Sequence, residues 1–195
     1  MLSDLRSALR PALVLTFLFA LLLGLAYPLA LTGIGQVLFP WQANGSLVRD
    51  GDRVIGSALI GQAFASDRYF HGRPSAAGAN GYDAAASAGS NLGPASKALA
   101  ERVRNDAQAL AALAPGRPVP PDLVTTSASG LDPHISPEAA YYQVDRVAKV
   151  RGIPADQVRA LVRTRIEYPL LGFIGEARVN VLALNRALDR ETKGN

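Results

Sequence analysis

The chain has 195 residues and no cysteine, and it carries only two histidines, one methionine and one tryptophan. Without cysteine there is no disulfide framework, no thiolate metal site and no cysteine nucleophile, so any exported domain must rest on ordinary core packing. His71 and His134 are distant from one another, and two such residues do not supply the three or four spaced ligands of a zinc site; no metal is expected. Lysine is almost as scarce. Lys97, Lys149 and Lys193 follow Ser96, Ala148 and Thr192 rather than glycine, which excludes a Walker A loop, and no G-x-G-x-x-G occurs. Ser129-Gly130 lacks the G-x-S-x-G context of a nucleophile elbow. The net charge of +4 is thinly spread among interleaved acids, and no basic run exceeds Arg163-Thr-Arg165. Nucleic acid is therefore not an expected partner.

Charge itself is absent from residue 11 to residue 48. Ala12–Leu31 (ALVLTFLFALLLGLAYPLAL) is an uncharged run of about 20 residues, the length an α-helix needs to cross a bilayer. Arg6 and Arg10 precede it and no charge follows until Arg49, so the positive-inside bias keeps residues 1–10 in the cytoplasm and exports the remainder. A cleavable signal peptide is the alternative, but its apolar region is shorter, and Gly24-Leu25-Ala26 followed by Tyr27-Pro28 is a poor cleavage site. The expected organisation is a cytoplasmic start over 1–10, a transmembrane helix over 11–33, a stalk over 34–52 and an extracytoplasmic domain over 53–195. The span carries no charge and so no ion pathway of its own. Thr16, Ala20 and Gly24 recur every four residues and form a small-residue face on which another helix can dock; the plainer reading is that such residues are simply common in membrane helices. Pro28, Gly33 and Gly35 are expected to bend or end the helix, and Phe39-Pro40-Trp41 suits the membrane interface.

The remaining chain reads as a mixed α/β domain with a small sheet and about four helices. Arg53–Ile60 has strand character, weakened by Gly56, and Asp122–Thr126 suggests a second strand. Phe64–Gly93 is rich in Gly, Ala, Ser and Asn, and thirty or so residues without periodicity usually mean a functional or partner-binding loop. Pro94–Leu113 is expected to be helical, with Ala98, Val103, Ala107, Leu110 and Leu113 as its stripe. Ser127–Ser136 is a polar loop ending in a helix start, with Ser136 as N-cap, Pro137 at the first position and Glu138 behind it. That helix runs to about Arg151, with Ala140, Val144 and Val147 inward, and Gly152 stops it. A further helix begins near Pro154 and carries Val158, Leu161, Val162 and Ile166. After a loop over Pro169–Gly175, Val179–Asp189 is a last apolar helix with a strand-like start, and Glu191–Asn195 a frayed tail.

For chemistry, His71 and His134 with Asp132, Asp83 or Glu176 could supply acid–base groups, as in an anchored hydrolase, or could line a binding module; each His could equally anchor a loop by hydrogen bonding. Four stretches carry a family resemblance: Tyr69–Ala76 (YFHGRPSA), Gly89–Pro94 (GSNLGP), Val124–Pro137 (VTTSASGLDPHISP) and Val179–Asp189 (VNVLALNRALD). Together with the single leading span and the length, they resemble the C subunit of the Kdp potassium-transporting ATPase. Ala177 departs from the proline that the family often has there. The resemblance implies an accessory, non-catalytic subunit of a bacterial inner-membrane complex for high-affinity, ATP-driven K⁺ uptake. Its partners would be a P-type ATPase subunit, a channel-like subunit, a small single-span subunit and membrane lipid. The family's C subunit is described as a catalytic chaperone that raises the ATPase subunit's affinity for ATP. No tightly bound cofactor is implied, though ATP could be met through the complex. Ser129, Gly130 and Gln143 are the candidate nucleotide contacts, and Tyr69, His71, Arg73, Asn91, Asp132 and His134 the candidate partner-loop residues. The charge bias conflicts with direct contact, because it places the domain outside and ATP is inside.

Overall fold

A computed structural model describes residues 2–193, the side chains of residues 2, 4, 5 and 193 excepted. The chain divides into two units, Met1–Leu47 and Val48–Asn195.

The first unit is helical. Helix α1 (Leu2–Leu21) continues through a π-helical turn, Leu22–Ala26, into α2 (Tyr27–Leu38), and a short α3 follows at Pro40–Ala43. Arg6–Leu38 is 33 residues long, none of its apolar window is buried, and it is long and apolar enough to cross a membrane. At 1.5 Å per residue it reaches about 50 Å, beyond a hydrocarbon core of about 30 Å. Of the bend or end expected at Pro28, Gly33 and Gly35, an end does not occur there, and the helix runs on to Leu38. Proline lacks an N–H, and its ring collides with the carbonyl four residues back, here Gly24. The π-turn widens the helix at that place, with Tyr27 N–H reaching Leu22 O across five residues, so the helix passes Pro28 without breaking.

The second unit opens with a hairpin, β1 (Leu47–Asp50) and β2 (Arg53–Ser57), joined by Gly51-Asp52. Residues 58–96 contain no helix or strand. Helix α4 (Lys97–Leu113) starts at the N-cap Ser96 and has no buried residue; Leu110 alone of its expected stripe packs on the core. The expected strand over Asp122–Thr126 is instead a 3₁₀ turn, Pro121–Leu123, followed by irregular chain. Pro121 explains the difference: its fixed φ starts the turn, and Leu123 N–H and Val124 N–H donate to Pro120 O and Pro121 O, so they are not free for a ladder. A three-stranded antiparallel sheet, in the order β3 (His134–Ile135), β5 (Arg178–Asn180), β4 (Ile166–Glu167), is made from strands of two or three residues. Val179 lies between Ile135 and Ile166 in its register.

Helices α5 (Pro137–Arg151) and α7 (Val181–Lys193) pack on β5 of this sheet, and α6 (Ala155–Thr164) packs against both helices. Ser136 Oγ accepts from Ala139 N–H at the start of α5, and Gly152 closes its end in the left-handed region at φ 69°. Ala140, Val144 and Val147 are fully buried, as expected, and join Val158, Leu161, Val162, Leu184 and Leu188 in one core. Ile166 leaves α6 and belongs to β4. Of the expected frayed tail, Glu191–Lys193 belong to α7, and Gly194 and Asn195 lie outside the described residues.

Candidate functional site

The long irregular segment is shaped by side chains where a sheet would use backbone. In an extended chain successive peptide groups point to opposite sides. Phe70 N–H donates to Asn185 Oδ1 at 2.8 Å, and Asn185 Nδ2 donates to Phe70 O at 3.0 Å. On the other side His71 N–H donates to Gln143 Oε1 at 2.8 Å, and Gln143 Nε2 donates to His71 O at 3.0 Å. Two buried amides, one from α7 and one from α5, thus grip two consecutive residues as neighbouring strands would. Arg146 adds bonds to Gln143 Oε1, Tyr69 O and Asp67 O. Tyr69 OH donates to Asp189, which is also paired with Arg151 at 2.8 Å, and the Arg151 guanidinium lies 4.9 Å from the Tyr69 ring centroid.

His71 Nε2 faces the Ser66 carbonyl at 3.2 Å. A carbonyl only accepts, so that nitrogen carries a proton. Burial, and secondarily the Arg146 charge, hold the His71 pKa below its usual value, so the neutral ring is favoured.

Beyond His71, the segment is sewn to the loop over 125–134. Arg73 donates to Thr125 O and Thr125 Oγ1, both at 3.3 Å, and meets Asp132 Oδ2 at 3.4 Å. Asp132 Oδ1 accepts from His134 N–H at 3.0 Å and lies 3.4 Å from His134 Nδ1. His134 Nε2 is 4.0 Å from Glu167, which is bonded to Arg178 at 3.0 Å. Arg73, Asp132, His134, Glu167 and Arg178 therefore form a line of charged and polar side chains from the irregular segment to the sheet edge. The bonds from His134 hold the Asp132 carboxyl below its usual range, with Arg73 adding to the effect. Ser75 Oγ donates to Gly130 O at 2.5 Å, and Ala88 N–H donates to Ser129 O at 3.0 Å. Gly130 has φ +66°, and a Cβ there would lie 2.5 Å from Ala88 O, so only glycine fits.

Three clefts meet at Arg73. One, of about 410 Å³, lies beside His71, Gln143 and Arg146 under α4. A second, of about 850 Å³, is lined by Asp122, Asp132, His134, Glu138 and Glu176. A third, of about 490 Å³, is lined by Ser127 and Ser129. The structure thus brings Arg73, Asp132 and His134 together. Tyr69 and His71 sit on the α5 and α7 side, and Asn91 stands exposed at φ 52°. Ser129 and Gln143 line different clefts, Gly130 is buried against Ala77, and the Gln143 amide is spent on His71. No group of three or more His, Asp or Glu among the described residues is placed to hold a metal ion.

Asn185, Arg146, Arg151, Glu167 and Arg178 escape the sequence reading. Asn185 alone leaves a signal, as a polar residue four positions from Val181 and three from Leu188 on an otherwise apolar helix face.

The family model for the K⁺-transporting ATPase c chain, KdpC, matches residues 9–190. A potassium-transporting ATPase KdpC subunit from Caulobacter vibrioides is 64% identical over 184 residues, covering 94% of this chain and 93% of its own. Proteins of the same name from Rhodopseudomonas palustris and Methylobacterium nodulans are 58% and 57% identical over 92% and 93% of this chain, and 95% and 96% of their own length. With nearly the whole length matched and the apolar helix and folded unit both included, the chain belongs to the KdpC family, the c chain of the K⁺-transporting ATPase.

Proposed function

We propose that this chain is the single-span, non-catalytic accessory subunit of an ATP-driven K⁺ uptake complex in a bacterial inner membrane, with residues 1–10 cytoplasmic and the globular unit outside. Its partners in this reading are the P-type ATPase subunit, the channel-like subunit and a small single-span subunit. The observation that carries the reading is a family match over residues 9–190 on a chain with one long exposed apolar helix. Thr16, Ala20 and Gly24 offer that helix a docking face, and a Cβ at Gly24 would meet nothing within 4 Å.

The chain stabilises the assembly and raises the ATP affinity of the ATPase subunit by binding one state of the transport cycle better than another. A subunit can shift an equilibrium only by its differential contact with the two states. Acting this way, the globular unit needs no access to ATP. Direct contact through Ser129, Gly130 and Gln143 is less economical, because Gln143 would have to release His71.

The test is to purify the membrane complex with and without this chain and to measure assembly, K⁺-stimulated ATPase activity and the KM for ATP. Loss of assembly or a raised KM is expected; unchanged values would sink the proposal. Cysteine accessibility at Ser87→Cys and Ser129→Cys, in a chain with no native cysteine, checks the side of the membrane.

A further inference from the structure

The loop between β4 and β5 is where large apolar side chains of the globular unit gather in solvent. Tyr168, Leu170, Leu171, Phe173 and Ile174 are each between 52% and 76% exposed. Elsewhere among the described residues of that unit such side chains stand singly, apart from the Leu59-Ile60 pair. A contiguous apolar tip of this kind marks a contact surface.

The loop's own backbone is largely satisfied. Leu170 N–H donates to Ile174 O at 3.2 Å and Ile174 N–H to Leu170 O at 3.0 Å. Inside this bridge Gly172 N–H donates to Pro169 O and Phe173 N–H to Leu170 O, with Leu171 and Gly172 turning the chain at φ 56° and 81°. Paired in this way, these backbone groups can leave water without being stranded. Charge is arranged around the base. Arg163 and Arg165 are exposed and make no ion pair among the described residues, while Arg178 is bonded to Glu167. Glu176 is the other nearby acid, so Arg163, Arg165 and Arg178 outnumber Glu167 and Glu176.

We propose that this loop is a second membrane contact: its apolar side chains enter the interfacial layer of an anionic bilayer, and Arg163 and Arg165 meet the lipid phosphates. Aromatic and aliphatic residues flanked by arginine match that layer, where rings sit at headgroup level and guanidinium groups find anions. The chain's own apolar helix supplies the proximity. Tethering makes the second contact intramolecular, so a weak partition is enough to populate it. The proposal needs only the anchor, and it stands apart from the assignment of the chain's role in transport.

The test uses the full chain in vesicles of phosphatidylcholine with phosphatidylglycerol. An environment-sensitive fluorophore is placed at Phe173→Cys, at Leu170→Cys and, as a control on α4, at Asn105→Cys. Brominated acyl chains should quench the two loop probes and leave the Asn105 position alone, while aqueous iodide should do the reverse. Replacing Arg163 and Arg165 by glutamine, or omitting the anionic lipid, should reduce the acyl-chain quenching by about twofold or more. Loop probes open to iodide and untouched by brominated lipid would overturn the proposal. Protection that appears only when the other subunits are present would also overturn it, and would assign the loop to a protein partner.

Discussion

Gln143 and Asn185 show how much one buried amide can decide. Each satisfies both the donor and the acceptor of one backbone residue, and Gln143 also takes a bond from Arg146. Replacing either by leucine leaves a buried backbone N–H and C=O without partners, at a cost of about 1–3 kcal/mol. Urea unfolding of the detergent-solubilised full chain should show that loss for Gln143→Leu and Asn185→Leu, whereas Asn105→Leu on exposed α4 should change little. Two titrations act in one direction. His71 has a lowered folded-state pKa, chiefly through burial, so its contribution is complete above about 6.5 and declines as pH falls below that value. Asp132 is also lowered, through its bonds to His134, so its contribution is complete above about 3.9 and is lost as pH falls toward its folded-state value. Stability measured from pH 8 down to 3 should therefore fall in two stages, and His71→Gln should remove the first while keeping the backbone bonds to Gln143. None of this could be read from residue type. Gln143 enters the sequence reading as a candidate nucleotide contact, and its bond to His71, 72 residues away, leaves no mark in the residues around it.

At the scale of elements, what was legible is what local chemistry determines. Helix α5 is written out in Ser136, Pro137 and Gly152, and the structure uses each as cap, first residue and stop. Asp122 reinforces the cap by accepting from both Ser136 N–H at 2.7 Å and Ser136 Oγ at 3.1 Å. Ser136→Ala should cost about 1 kcal/mol, with Asp122→Ala at a similar level, because each removes a bond from the same helix start. The loop contact behaves differently. Gly130→Ala should destabilise by about 1–3 kcal/mol, since it adds a positive-φ penalty to a collision with Ala88 O. Hydrogen exchange should report that opening at residues 75–89 and leave α5 through α7 protected; exchange rising evenly through the core would contradict it. Strands β3, β4 and β5 were not legible as strands, although a strand-like start at Val179 was. Two or three residues carry no alternation, and such a strand exists only because distant segments bring it a partner. Between the two outcomes expected at Pro28, a bend or an end, the residues could not choose, because a π-turn that carries the helix onward leaves no mark in an apolar run.

For the whole molecule, the decisive fact is that the core, among the described residues, is drawn from Phe70 to Leu188, within the second unit. From the sequence, the expected bounds are a span over 11–33, a stalk over 34–52 and a domain over 53–195, because a long uncharged run is suited to a bilayer and not to an aqueous core. The division between the two units falls between Leu47 and Val48. The thirty-residue loop was recognised as unusual for its length, but how it is held was hidden, because its anchors lie in α5, α7 and the 125–134 loop. A chain of residues 48–195 should therefore fold alone. Circular dichroism should show the helices α4 to α7, and unfolding should be cooperative with the same response to Gln143→Leu as in the full chain. Such a fragment retains Tyr168–Ile174 yet lacks the tether, so its binding to anionic vesicles should be weak and salt-sensitive, whereas the full chain should stay bound through salt washes. Added in trans to a complex lacking this subunit, it should restore little ATPase activity unless supplied at high concentration, because the contacts that were intramolecular at the membrane have become bimolecular. Full restoration at stoichiometric fragment would show that the globular unit carries the affinity for its partners and that the helix serves only to deliver it.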